Sequence, residues 1–184
     1  MVLNLLVPRA SRLPLACCVA TALCALSAPT IADDSRSRDR IEARLKGFAE
    51  VPAVSSAASG RFKARIDSAS MSLTYELSFS GLEGDVRQAH IHFGQHGVNG
   101  GIMVWLCQSA VNVSPVASTP PCPQSGTVTG VISAADVIGP AGQGIAATEF
   151  AEMIKAISAG VAYANVHSSK FPGGEIRGQL RDDD

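Results

Sequence analysis

The chain has 184 residues, of which 46% are hydrophobic and 17% charged, with 17 Gly, 10 Pro and a formal charge of −1. That length suits one domain with a real core, and the Gly and Pro content excludes a collagen-like or wholly disordered chain. The near-zero charge argues against a nucleic-acid binder, because no basic stripe of the needed density is visible along the sequence.

Residues 1–32 have the pattern of a secretory signal peptide. Arg9 and Arg12 are the only charges before Asp33, Leu13 to Ala28 is almost unbroken apolar chain, and Thr30-Ile31-Ala32 offers small residues for cleavage after Ala32. An uncleaved membrane anchor is the alternative, and Pro14 and the short apolar run weigh against it. The expected location is therefore secreted or periplasmic, with no membrane association once the leader is removed. Residues 33–41 open with DDSRSRDR and read as a flexible polar tail.

Period-two alternation then dominates. Ala43 to Ala49 is a short strand broken at Pro52. In Gly60 to Asp67, Phe62, Ala64 and Ile66 share one face; in Ser70 to Phe79, Met71, Leu73, Tyr75, Leu77 and Phe79 point inward. Asp67 to Ala69 is the turn between them. Further strands are expected at Val86 to Phe93, Gly101 to Cys107, Gly126 to Ile132, Val161 to His167 and Gly174 to Arg181. Eight short strands punctuated by glycine predict a mostly β domain, an antiparallel Greek-key β-sandwich or barrel. One short helix is expected over residues 148–158, with Phe150, Met153, Ile154 and Ile157 on one face, Thr148 as N-cap and Gly160 at its end. Ser133 caps a further helical turn. Residues 182–184 form an acidic tail.

Chemistry concentrates in few residues. His90 and His92 lie at i and i+2 of a strand and face the same way, with about 6.5 Å between their Cα atoms. His167 is the distant histidine that could complete an imidazole site, and His96 in the Gly-rich loop is a weaker member. Imidazole-only sites suit copper or zinc. The alternatives are a structural hydrogen-bonded cluster, or a surface for an unknown extracellular or periplasmic protein partner. Cys107 and Cys122 are the cysteines left after the leader, and an exported chain pairs them most simply as a disulfide, with free thiols or a metal pair as the alternative. Glu175 and Arg177 share a face and are expected to form a structural ion pair. Asn112-Val113-Ser114 matches a glycosylation sequon. No nucleophile–base pair, phosphate loop or CxxC is present, so the domain reads as non-enzymatic.

Five motifs carry a family resemblance: Glu50-Val51-Pro52; Leu73-Thr74-Tyr75 with Ser80-Gly81-Leu82; Ala89-His90-Ile91-His92; Ala164-Asn165-Val166-His167; and Pro172 through Leu180 (PGGEIRGQL). In order and spacing they resemble the CHRD domain, over roughly residues 42–181. That module is named from chordin, an extracellular antagonist of bone morphogenetic proteins, and occurs singly in exported bacterial proteins. The resemblance implies a β-rich extracytoplasmic module. The single copy, without cysteine-rich repeats, departs from chordin. A fainter similarity in motif order is to Cu/Zn superoxide dismutase, a Greek-key sandwich. It implies that His90, His92 and His167 match copper ligands and that Arg177 matches an anion-guiding arginine. No bridging histidine or zinc half-site accompanies them, so what carries over is a mononuclear site, not dismutase activity. The functions implied are a binding or structural module with a histidine cluster, a copper-binding protein with a redox or trafficking role, or a cell-surface or matrix adhesion module.

Overall fold

The computed structural model describes residues Asp39–Asp182; the leader and most of the tail lie outside them. The strands are β1 Arg40–Lys46, β2 Ser59–Asp67, β3 Ser72–Ser80, β4 Val86–Phe93, β5 Gly101–Cys107, β6 Gly126–Ile132, β7 Ala162–Ser168, β8 Ile176–Gln179 and β9 Arg181–Asp182. Among the described residues one α-helix, α1, spans Phe150–Ser158.

All strand pairs are antiparallel and belong to one coiled sheet, ordered β5-β4-β7-β8-β1-β2-β3-β6, with β9 continuing β8 alongside β1. The chain leaves β3, builds the β4–β5 hairpin at the far end of the sheet, and returns with β6 beside β3. That return is a Greek-key crossing. The result is a nearly closed barrel, as the alternation predicts. Ile41, Leu45, Phe62, Leu73, Leu77, Ile91, Val166 and Ile176 are fully buried in the core. Across the seam between the end strands, the Tyr75 hydroxyl of β3 donates to the Leu106 carbonyl of β5 at 2.6 Å. Burial pushes that phenol up to about 12, which keeps it a neutral donor.

Several boundaries differ from the expectation for physical reasons. Strand β1 starts at Arg40, which pairs with Arg65, and gives way at Gly47 to a tight helical turn, so residues 40 and 41 do not belong to a tail. Met71 is about half exposed, not inward, because it sits in the β2–β3 turn with φ of 51° and the last ladder pair is Asp67–Ser72. That turn is held by the Asp67 carboxylate, which accepts the N–H groups of Ala69 and Ser70. Thr148 does not cap α1. Its φ of 70° is left-handed, whereas an N-cap is extended, so the helix begins at Phe150. Gly160 ends the helix with φ of 69°, as expected. The Ser133 capping box is present. Asp182 pairs with Ile41 rather than belonging to a tail. Among the described residues no helix is long and apolar enough to cross a membrane.

Candidate metal centre

Strand β4 is hydrogen-bonded on both sides, to β5 and to β7. Ala89 and Ile91 point into the barrel, so His90 and His92 must point outward. On β7 the same alternation places Ala164 and Val166 inside and Tyr163, Asn165 and His167 outside. The ladder sets His90 opposite Asn165, His92 opposite Tyr163 and Gln88 opposite His167. The outward face here is nevertheless buried: His90 is 0%, His92 8% and His167 6% exposed. Three connecting segments contact this face, residues 47–58, 94–100 and 169–174, through the hydrogen bonds described below.

The three histidines converge. One nitrogen of each lies within 4.8 Å of the other two. His90 Nδ1 is 3.2 Å from His167 Nε2. That is the separation of two ligands of one ion at bond lengths of about 2.0–2.1 Å. The remaining hydrogen bonds fix the tautomers. His92 Nδ1–H donates to the Gly100 carbonyl and His167 Nδ1–H donates to the Pro172 carbonyl, both at 2.8 Å. Each of those rings therefore turns an unprotonated Nε2 toward the cluster. His92 Nε2 is buried with no hydrogen-bond partner in the protein, and so is His90 Nε2. The Asn165 side-chain amide lies 3.1 Å from His167 Nε2, and because that nitrogen has no proton to give, the amide presents its N–H group there.

Burial keeps these rings uncharged. It is the largest cause of the shift of His90, pushed down to about 2, with His167 and His92 nearby adding to it. His92 falls to about 4, again through burial first, with the Gly100 carbonyl opposing. His167 is lowered by burial and partly restored by the Pro172 carbonyl. Neutral imidazoles in this arrangement could hold one metal ion, since ligation requires the unprotonated form.

Around the cluster lies a packed polar layer. Tyr163 stacks on His92, rings parallel to 2° and 4.8 Å apart, and the Arg177 guanidinium lies 3.3 Å from the centre of the Tyr163 ring. Trp105 packs edge-on against His90. Arg177 donates to the carbonyls of Gln95 and Val98 and to Asn99 Oδ1. It thus fastens the loop whose Gly100 holds His92, while Gly100 N–H donates to the Tyr163 hydroxyl. A side chain at Gly100 would collide with the Phe93 carbonyl.

Two expectations need correction here. No ion pair joins Glu175 to Arg177 among the described residues. Glu175 instead accepts from the Ser56 hydroxyl and the Glu83 N–H, and Arg177 is satisfied by the 94–100 loop. Nor is Arg177 an exposed guide for anions, being 2% exposed. Glu50 sits nearest in charge to Arg177. Burial pushes its carboxyl up to about 7 although Arg177 opposes this, and its Oε1 has no hydrogen-bond partner. It occupies the space over Gly174, whose φ of 128° and lack of Cβ are both needed there.

His96 is exposed in the 94–100 loop and does not join the triad. Cys107 and Cys122 form a disulfide, which ties the end of β5 to the Pro-rich excursion that follows it. A small cavity of about 180 Å³ lined by Gln88, Asn112, His167 and Pro172 adjoins the cluster. The sequence assigned no site role to Tyr163, Asn165, Glu50 or Gly100, although Asn165 and Glu50 stand in motifs of the family resemblance. The first two were readable, because Tyr163, Asn165 and His167 lie at i, i+2 and i+4 of one strand.

Fold and site together define a Greek-key β-barrel module with a buried triad of imidazoles on the outside of one wall. The model of the CHRD domain matches residues 41–180, most of the chain, and the protein belongs to that family. No match was found among curated proteins or among solved structures.

Proposed function

We propose that the chain is an exported, non-enzymatic binding module that holds one copper ion through His90 Nδ1, His92 Nε2 and His167 Nε2. The observation that carries this reading is the tautomer pattern. Two backbone carbonyls take the outer N–H groups of His92 and His167, which leaves an Nε2 lone pair on each ring, and one nitrogen of each of the three histidines lies within 4.8 Å of the other two. Such carbonyl-anchored imidazoles are the usual support of a metal ligand. Three neutral nitrogen donors without a carboxylate favour copper over the other common divalent ions, with zinc the nearest competitor. Export is supported by the leader pattern of residues 1–32 and by a disulfide, which persists in oxidising compartments.

The test is metal titration of residues 33–184 with a count of bound copper. Wild type and His96→Ala should take up one equivalent. His92→Ala and His167→Ala should bind about tenfold more weakly or worse. Equal binding by all four proteins would remove the site. Uptake of zinc in preference to copper would change the ion, and uptake of neither would leave the triad as a structural cluster.

A further inference from the structure

A second surface emerges from strand pairing, on the opposite wall of the barrel. Along the sequence, cations in β1 and β2 alternate singly with apolar residues and form no stripe. The ladder changes this by setting Arg40 directly opposite Arg65 and Arg44 opposite Arg61. Lys63 lies between those rows, Lys46 continues the outer edge of β1, and β9 brings Arg181 opposite Glu42. All seven cations are exposed. The acids among them are few. Glu42 is paired with Arg61, Glu76 lies opposite Lys63, and Asp67 is engaged in its own turn. Like charges set directly opposite across a ladder repel, and each such pair costs a sheet stability. The wall carries two of them: Arg44–Arg61 is relieved through Glu42, whereas Arg40–Arg65 has no ion-paired acid among the described residues.

A groove of about 660 Å³ crosses this wall, lined by the cations Arg40, Lys63 and Arg65, by the acids Glu42 and Glu76, and by Thr74 and Thr129. Neighbouring strands stand about 4.8 Å apart and successive outward residues about 6.6 Å apart, so the cations form a two-dimensional grid on the barrel wall. The chemistry of the rest of the wall narrows the ligand. No aromatic side chain projects outward from β1, β2, β3, β6 or β9, so there is no platform on which bases could stack. Val131 is the one large apolar side chain exposed on these strands, too little to enter a bilayer. Hydroxyls of Thr74, Ser78, Thr127 and Thr129 fill the neutral positions instead.

We propose that this wall binds an extended anionic polysaccharide, its sulfate or carboxylate groups meeting the Arg40, Arg65, Lys63, Arg44 and Arg61 grid. The inference does not depend on the metal reading, because the two surfaces lie on opposite walls and share no residue.

The experiment is chromatography and titration of residues 33–184 on a heparin-type sulfated polysaccharide. The wild-type domain should be retained at about 0.15 M salt and released as salt rises, because exposed charge pairs are screened. The triple variant Arg40→Glu/Lys63→Glu/Arg65→Glu should lose at least about tenfold in affinity, the direction charge reversal gives. Arg87→Glu/Lys155→Glu/Lys170→Glu makes the same change in net charge away from the wall and should bind close to wild type. Circular dichroism of both variants separates lost binding from lost folding. Flow-through of the wild type, or an equal loss in both triples, would overturn the proposal. So would tighter binding to single-stranded DNA or to phosphatidylglycerol vesicles run alongside.

Discussion

The two walls of this barrel share a core but treat their outer faces in opposite ways. On β1, β2 and β3 every second residue is charged or hydroxylated and at least partly exposed, the pattern of a sheet with one wet face. On β7 all seven residues are buried, so polar side chains there have lost water on both faces of the sheet. The wet wall costs little to alter, since solvent compensates each change. The covered wall is a closed network in which each buried polar group depends on a named partner. The difference teaches where function and fragility coincide: the histidines, Arg177 and Glu50 all lie on the covered side.

Acid should break that contrast most visibly. In the folded metal-free domain His90 and His92 resist protonation down to about 2 and about 4, whereas the unfolded chain takes up protons near the ordinary histidine value of 6.5. Stability is therefore full above about pH 6.5 and is lost as pH falls. The loss reaches about 2 kcal/mol for each of these two rings by pH 5. Thermal denaturation from pH 8 to pH 5 checks this, and an unchanged Tm would refute it. Copper should oppose the loss, because it binds only the unprotonated rings.

Next in size is Arg177. Arg177→Met should cost about 3 kcal/mol, since the three hydrogen bonds by which this buried guanidinium fastens the 94–100 loop are lost. Denaturant unfolding measures this, and the copper spectrum of the variant should change as the Gly100 carbonyl loosens from His92. Glu50 works in the opposite pH direction from the histidines. Its folded value of about 7 lies above the unfolded 4.5, so its contribution is present below 4.5 and lost as pH rises through 7. Glu50→Gln should gain on wild type by about 2 kcal/mol between pH 5 and pH 8. On the wet wall, Arg61→Ala should change stability by only about 0.5 kcal/mol despite its ion pair with Glu42. A larger effect would mean that the two walls are less different than their burial implies.

Much of this was legible in the residues. Alternation gave β2 closely, because a half-buried strand writes its inner face at every second position, and the runs between turn glycines gave β4, β5 and β6. The same rule put His90 and His92 together. It could not say that their outward face is covered, since burial comes from connecting segments whose path back over the sheet is not written in a strand's period. That is why Glu175 and Arg177 were paired with each other: adjacency on a strand was visible, but the competing acceptors at Gln95, Val98 and Asn99 were not. The cationic grid was missed for the same reason. Arg40 and Arg65 become neighbours only once the register of β1 on β2 is set, and period alone does not give register.

The seam between β5 and β6 carries one more consequence. Strand β5 ends the sheet, yet its free edge is not bare. The Met103 carbonyl takes the Ile138 N–H, the Gly101 N–H reaches Gln143, and Gln108 exchanges hydrogen bonds with Pro120 and Cys122. A naked edge would be a template on which a second molecule could lay its own strand and begin an aggregate. By folding its later segments over that border, the chain withholds that template from a second copy, and it does so without completing the ring.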